Sequence, residues 1–137
     1  MALYEYEHSI TSTAPAEAIW PLWADTSRWS EWDPGVRDVT IEGAFEPGTK
    51  GTMVIDGMPP IPFTLTAVTP GRAFTDETTL PDAHLVFEHL LEDVEGGTKI
   101  TYRVTIDGPE GFGPQVTEDT PDAMRALAKL AEASSRV

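Results

Sequence analysis

An α+β fold built on one curved antiparallel sheet is what this sequence predicts, on three observations. Seven stretches alternate apolar and polar residues at every second position, the period of a half-buried strand. Six of them follow one another with only short Gly- and Pro-rich turns between, which makes antiparallel hairpins the economical connection. Helical patterning is confined to two places, an aromatic segment after the first strand and the C-terminal end.

The first strand, residues 3–13, puts Tyr4, Tyr6, His8 and Ile10 on one side and Glu5, Glu7 and Ser9 on the other. Ala14-Pro15-Ala16-Glu17 opens a helix, with Pro15 at the first helical position and Glu17 complementing the N-terminal dipole. That helix carries Ile19, Trp20 and Trp23, and Asp25 caps a second short helical turn bearing Trp29 and Trp32. All four tryptophans of the chain lie in this segment, which Pro34-Gly35 ends. So much aromatic bulk must lie on a large apolar surface; Trp20 and Trp32 are expected in the core. A strand over 36–42 follows, with Val39 and Ile41 in phase. Next come 50–56, with Met53 and Ile55 in phase, and 61–68, with Ile61, Phe63, Leu65 and Ala67 on one face. Residues 72–80 place Phe74, Asp76, Thr78 and Leu80 together, and 83–94 do the same for Leu85, Phe87, His89 and Leu91. Glu95-Gly96-Gly97 is a hairpin turn into 98–106, where Ile100, Tyr102, Val104 and Ile106 share a face. If Leu91 pairs with Ile100, His89 sits opposite Tyr102. Gly108-Pro109 ends the strand, and Val116, Ala123, Leu127 and Leu130 recur at helical steps to about residue 134. Thr120-Pro121-Asp122 reads either as a cap with proline at the first position or as a bend in a longer helix.

Composition narrows function. At 137 residues the chain is read as one domain, 1–137, with 40% hydrophobic and 23% charged residues, both ordinary for a globular protein. Its 23 acidic and 9 basic residues give a net charge of -14, which repels phosphate backbones and anionic membranes. Nucleic acid is therefore not an expected partner. The absence of cysteine excludes disulfides, thiolate metal sites and cysteine nucleophiles. The opening Met1-Ala2-Leu3-Tyr4 has no signal-peptide character, and no apolar run reaches the roughly 18 residues of a membrane span. A cytoplasmic protein, monomer or homodimer, without metal or cofactor, is the expectation; no metalloprotease, phosphate-loop or nucleophile-elbow motif is present.

Three stretches carry a family resemblance. They are Ala14-Pro-Ala-Glu-Ala-Ile-Trp-Pro-Leu-Trp-Ala-Asp followed by Trp29-Ser-Glu-Trp-Asp-Pro; Gly96-Gly-Thr-Lys-Ile-Thr-Tyr after the strand with His89; and a Gly-Pro strand end before an alanine- and leucine-rich helix. Together they resemble the SRPBCC, or START-like (birch-pollen-allergen-like), superfamily, nearest its polyketide cyclase/dehydrase and lipid-transport branch. The resemblance implies a helix-grip fold: a seven-stranded antiparallel sheet wrapped around a long C-terminal helix, two short helices after the first strand, and an elongated cavity between sheet and helix. It implies binding of a small hydrophobic or aromatic, lipid- or polyketide-like molecule. The alternatives are a cyclase/dehydratase-type enzyme on a polyketide-like substrate, and a protein-interaction module of the chaperone-activator type. Fold alone does not choose among them.

Strand parity selects Tyr6, His8, Phe63, Asp76, Phe87, His89 and Tyr102; together with Trp29 and the flexible Met124 from the helical segments they are the expected ligand-binding set, with His89 and Asp76 the candidates for acid–base work. Trp29 is the tryptophan expected to touch ligand. Asp76 stands out because a carboxylate on an apolar face must be paired, neutral or wet. The competing reading makes the same residues hydrogen-bonded core. Asp33 has two readings, a brace for the turn at Pro34 or a group at the cavity mouth. His84, beside a turn, is expected to be exposed.

Overall fold

A computed structural model describes residues 2–135. The strands are β1 (Ala2–Ser12), β2 (Val36–Ile41), β3 (Lys50–Ile55), β4 (Ile61–Thr69), β5 (Ala73–Leu80), β6 (Ala83–Val94) and β7 (Gly97–Gly108). The helices are α1 (Ala16–Ala24), α2 (Trp29–Trp32), α3 (Phe112–Thr117) and α4 (Thr120–Ser135), with a 3-10 turn at Thr26–Arg28 before α2. One antiparallel sheet runs in the order β1-β7-β6-β5-β4-β3-β2, with α4 packed against β1, α1 and α2 on its concave side. This is the helix-grip fold the sequence predicts.

Register follows from the hairpin at Gly96-Gly97. Leu91 pairs with Ile100 and His89 with Tyr102, and β1 lies antiparallel along β7 so that His8 also pairs with Tyr102. Two irregularities bend the sheet, one in β2 between Val36 and Asp38 and one in β4 between Leu65 and Ala67. The second corrects the sequence reading of β4. An extra residue reverses parity, so Ala67 is exposed and Val68 instead turns toward the core.

Two further corrections concern helix ends. Pro15 is the N-cap of α1, with extended backbone angles, so the helix starts one residue later than the sequence suggests. The C-terminal helical pattern splits at Glu118-Asp119 into α3 and α4. Pro121 supplies no N–H to close a turn there and its ring crowds the carbonyl four residues back. Asp25 caps as expected, accepting from the N–H of Ser27 at 3.1 Å.

The tryptophan segment seals the core. Trp23, Trp29 and Trp32 are buried, and the last two donate their indole N–H groups to the carbonyls of Trp23 (2.9 Å) and Leu22 (3.1 Å). Those carbonyls lie at the end of α1, where no further helical turn exists to use them. Trp20, expected in the core, is half-buried at its edge against Phe45 and Phe74. From α4, Ala123, Met124, Leu127, Ala128 and Ala131 face inward, the alanines letting the helix lie close to its neighbours.

The hairpin also clamps the end of β1. Thr98 donates to the carbonyl of Ala14 at 2.8 Å, and a β-carbon on Gly97 would stand 1.9 Å from the backbone oxygen of Ser12. Gly97→Ala is therefore expected to lower stability by about 2 kcal/mol through a backbone clash. Gly96→Ala meets nothing within 4 Å and bears only the strain of its positive φ of 85°, about 1 kcal/mol. Urea denaturation of both variants checks this; equal losses would mean the close approach at Gly97 does not limit the fold.

Candidate functional site

Successive inward residues of β5, β6, β7 and β1 form cross-strand rows on the concave face. One row is Phe74, His89, Tyr102 and His8; the next is Asp76, Phe87, Val104 and Tyr6; the third is Thr78, Leu85, Ile106 and Tyr4. Asp76, Thr78, His89 and Tyr102 are buried, whereas Tyr6, His8 and Phe87 are half-buried on the same rows. The apolar lining belongs to a cluster of Ala83, Leu85, Val104 and Ile106, against which Phe112 and Val116 of α3 pack.

His89 is held by aromatic faces. Its ring stacks on Phe74 at 3.9 Å with a 5° interplanar angle and meets Tyr102 edge-on at 4.6 Å and Trp23 at 5.6 Å. Nδ1 lies 3.3 Å from the carbonyl of Phe74. A carbonyl only accepts, so Nδ1 carries the proton and Nε2 presents a lone pair. Burial pushes the imidazole pKa down to about 3, against a smaller opposing effect of that carbonyl, so His89 is neutral at physiological pH. The Tyr102 hydroxyl accepts from the indole N–H of Trp23 at 3.3 Å. Burial, with the Asp33 and Asp76 charges behind it, pushes the phenol pKa up, so its own proton stays in place to donate.

Asp76 is the unusual member. At 5% exposure it makes no hydrogen bond to any described residue, and neither does the Thr78 hydroxyl. Among the described residues, no side-chain oxygen or nitrogen sealed from solvent lacks a partner. The oxygens of Asp76 and Thr78 therefore touch space that solvent reaches. Burial first, and the neighbouring Glu77 charge second, push the Asp76 pKa up to about 8, so near neutrality it is mainly the uncharged acid, able to donate a hydrogen bond. A hollow of about 350 Å³ opens at the end of the third row, lined by Tyr4, Ile106, Pro109, Gly113 and Pro114.

The structure thus gathers Tyr6, His8, Asp76, Phe87, His89 and Tyr102 on adjoining rows. Trp29, Phe63 and Met124 lie elsewhere, packed in the tryptophan core. Trp29 stacks on Phe63 at 5.8 Å, and Met124 is fully buried. Asp33 braces its turn, accepting from the N–H of Gly35 at 3.2 Å. Burial first, and the charge of Asp119 last, raise its pKa against the lowering effect of the Gly35 N–H, and its own charge helps to raise that of Tyr102. Thr78 and Trp23 were missed as site residues. Thr78 shares the strand phase of Asp76, which is a usable signal; the Trp23 bond to Tyr102 is long-range and leaves none. His84 is exposed, bonded to Thr79 and Glu77. No group of three metal-ligating side chains comes together among the described residues, and none of their helices is long and apolar enough to cross a membrane.

A family model described as polyketide cyclase / dehydrase and lipid transport matches residues 4–134. No curated protein sequence matches the chain. Solved structures similar in fold include Ara h 8.0201, at 19% identity and TM-score 0.75, covering 96% of this chain and 99% of its own. Protein NE0264 from Nitrosomonas europaea is 13% identical with TM-score 0.77, covering 95% of each chain. The di-domain ARO/CYC StfQ from the steffimycin biosynthetic pathway has 13% identity and TM-score 0.81; 98% of this chain spans 52% of that one. At these identities the likeness is one of fold.

Proposed function

This chain belongs to the polyketide cyclase / dehydrase and lipid transport family, and from that premise we propose that it binds a small hydrophobic or aromatic molecule between the sheet and the helices α3 and α4. The observation that supports this best is a pair of buried polar side chains, Asp76 and Thr78, that have no protein partner among the described residues yet touch reachable space. An apolar face with a few convergent polar groups is the usual make-up of a ligand site. The groups are complementary in kind: an acid O–H on Asp76, a phenol O–H on Tyr102 and a lone pair on His89 Nε2.

His89 as an acceptor calls for a ligand hydroxyl. His89→Ala is expected to weaken 2-naphthol about tenfold, the worth of one hydrogen bond with its unpaired partner, and 2-methylnaphthalene by less than about threefold. Titration calorimetry on both proteins reads this. Equal losses would make His89 a wall and nothing more, and failure of the wild type to bind either compound would remove the binding reading.

The second reading, a cyclase/dehydratase-type enzyme acting on a polyketide-like substrate, draws on the family description and on the ARO/CYC neighbour. His89 argues against it as the base. An imidazole whose pKa lies near 3 takes a proton poorly at neutral pH. In that reading Asp76 is the general acid. For a protein-interaction module the surface offers little: among the described residues the exposed large apolar ones, Leu3, Met58 and Val94, sit at separate places, with Leu3 and Val94 paired to opposite ends of β7.

A further inference from the structure

We propose that the interior site selects an uncharged aromatic ligand bearing a carbonyl, a ketone or quinone, and rejects carboxylate-bearing ligands such as fatty-acid anions, with Asp76 as the hydrogen-bond donor that makes the distinction. This deepens the binding reading above and rests on it.

Charge placement carries the inference. An anionic ligand in a buried site needs a cation or a set of donors. Among the described residues no lysine or arginine faces the concave side. Lys50, Lys99 and Arg103 lie on the outward phase of their strands, Arg37, Arg72, Arg125 and Lys129 are exposed, and Arg28 is held by Glu31. The titratable groups on the Asp76 row and the rows beside it are His89 from β6, Tyr102 from β7 and Tyr4, Tyr6 and His8 from β1, and the charge of Asp33, on the loop after α2, acts on Tyr102. Glu77, its neighbour on β5, points to the outer face. No lysine or arginine in this set would welcome an anion, and the Asp33 carboxylate repels one. A carbonyl oxygen instead finds the unpartnered Asp76 acid, with the free Tyr102 proton on the adjoining row.

The donor is lost when Asp76 ionises. With its pKa at about 8, ketone affinity falls about tenfold between about pH 6 and about pH 9. His89 and Tyr102 keep their protonation over that span, because their shifts carry them away from it.

The test is titration of 2-acetylnaphthalene, 2-naphthoate, 2-ethylnaphthalene and 2-naphthylmethylamine at both pH values, on wild type, Asp76→Asn and Asp76→Leu. The ketone is expected to bind at least about tenfold more tightly than the naphthoate near pH 6, and near pH 9 to weaken about tenfold while the naphthoate, now facing an ionised Asp76, gains nothing. Asp76→Asn keeps an N–H donor, so the ketone should bind with no pH dependence; Asp76→Leu should weaken the ketone about tenfold and leave the hydrocarbon unharmed. A pH dependence that survives in Asp76→Asn belongs to another group and overturns the assignment. So does naphthoate binding equal to the ketone, or amine binding tighter than both, which would make the site one for cations. If the hydrocarbon binds and these outcomes appear, only this inference falls. If the hydrocarbon itself does not bind, the underlying binding reading falls with it.

Discussion

Trp23→Ala is expected to cost about 4 kcal/mol of folding stability, within the usual range of about 3–5 for a buried tryptophan. Total stability of a domain this size is on the order of 5–15 kcal/mol, so the variant stands near the edge of unfolding. Trp23 is fully buried and is the hub between helix and sheet. Its ring meets Trp20 at 6.2 Å, Phe74 at 5.3 Å, His89 at 5.6 Å and Tyr102 at 6.1 Å. Its N–H bonds Tyr102, and its carbonyl accepts from Trp29, so the side chain and backbone of one residue tie α1 to β7 and to α2. Trp23→Phe keeps most of the apolar area but drops the N–H bond, and should cost about 1–2 kcal/mol. Trp20→Ala, at the half-buried edge, should fall between the wild type and Trp23→Ala. Urea unfolding followed by far-ultraviolet circular dichroism ranks the three. A loss below about 1 kcal/mol for Trp23→Ala would mean that the tryptophan segment drapes over the sheet without anchoring it.

Strand periodicity made most of this legible in the sequence, because each side chain's face follows from its parity once a turn is fixed. Glu95-Gly96-Gly97 fixed the β6–β7 hairpin, and with it the pairing of His89 with Tyr102. The inward placement of Asp76 needed only the phase of Phe74 and Leu80. Parity fails where an extra residue enters a strand, as between Leu65 and Ala67, since nothing in the local composition marks the insertion. Helical spacing failed differently. Trp20 and Trp23 share a helix face, but only one can lie under α1 at the centre of the sheet, and the other is left at the rim. Trp29 was the tryptophan expected to touch ligand, and it is instead buried. What draws it inward is the open carbonyl at the end of α1, which becomes visible only when the chain has turned back. Asp33 shows the same limit: its local bond to Gly35 was readable, and its electrostatic reach to Tyr102 and Asp119 was not.

Asp76→Asn is expected to be more stable than wild type by up to about 4 kcal/mol near pH 7, and about equal to it near pH 4. The carboxyl pKa is about 8 in the folded chain against an ordinary 3.8. Between those values the fold holds a proton that the unfolded chain has released. Stability therefore falls as pH rises through that window, by about 1.4 kcal/mol per pH unit, and levels off above the folded pKa. His89 has the opposite sign. Its pKa drops from 6.5 to about 3, so below the unfolded value the unfolded chain takes up a proton that the fold refuses. Stability then falls as pH falls, by about 2 kcal/mol near pH 5. In wild type the two slopes oppose each other across mildly acidic pH and nearly cancel. Asp76→Asn removes one and leaves the other, so its stability should decline on acidification more steeply than that of wild type. Urea unfolding of both proteins from about pH 4.5 to about pH 8 measures the difference. A gap that stays constant with pH would mean that Asp76 ionises normally in the fold, and the donor on which ketone recognition depends would then be absent at neutral pH. A gap that widens with pH would show a carboxyl that weakens the fold when it is empty. A carbonyl ligand that accepts a hydrogen bond from the acid recovers part of that loss, and in doing so raises the unfolding midpoint with the logarithm of its concentration.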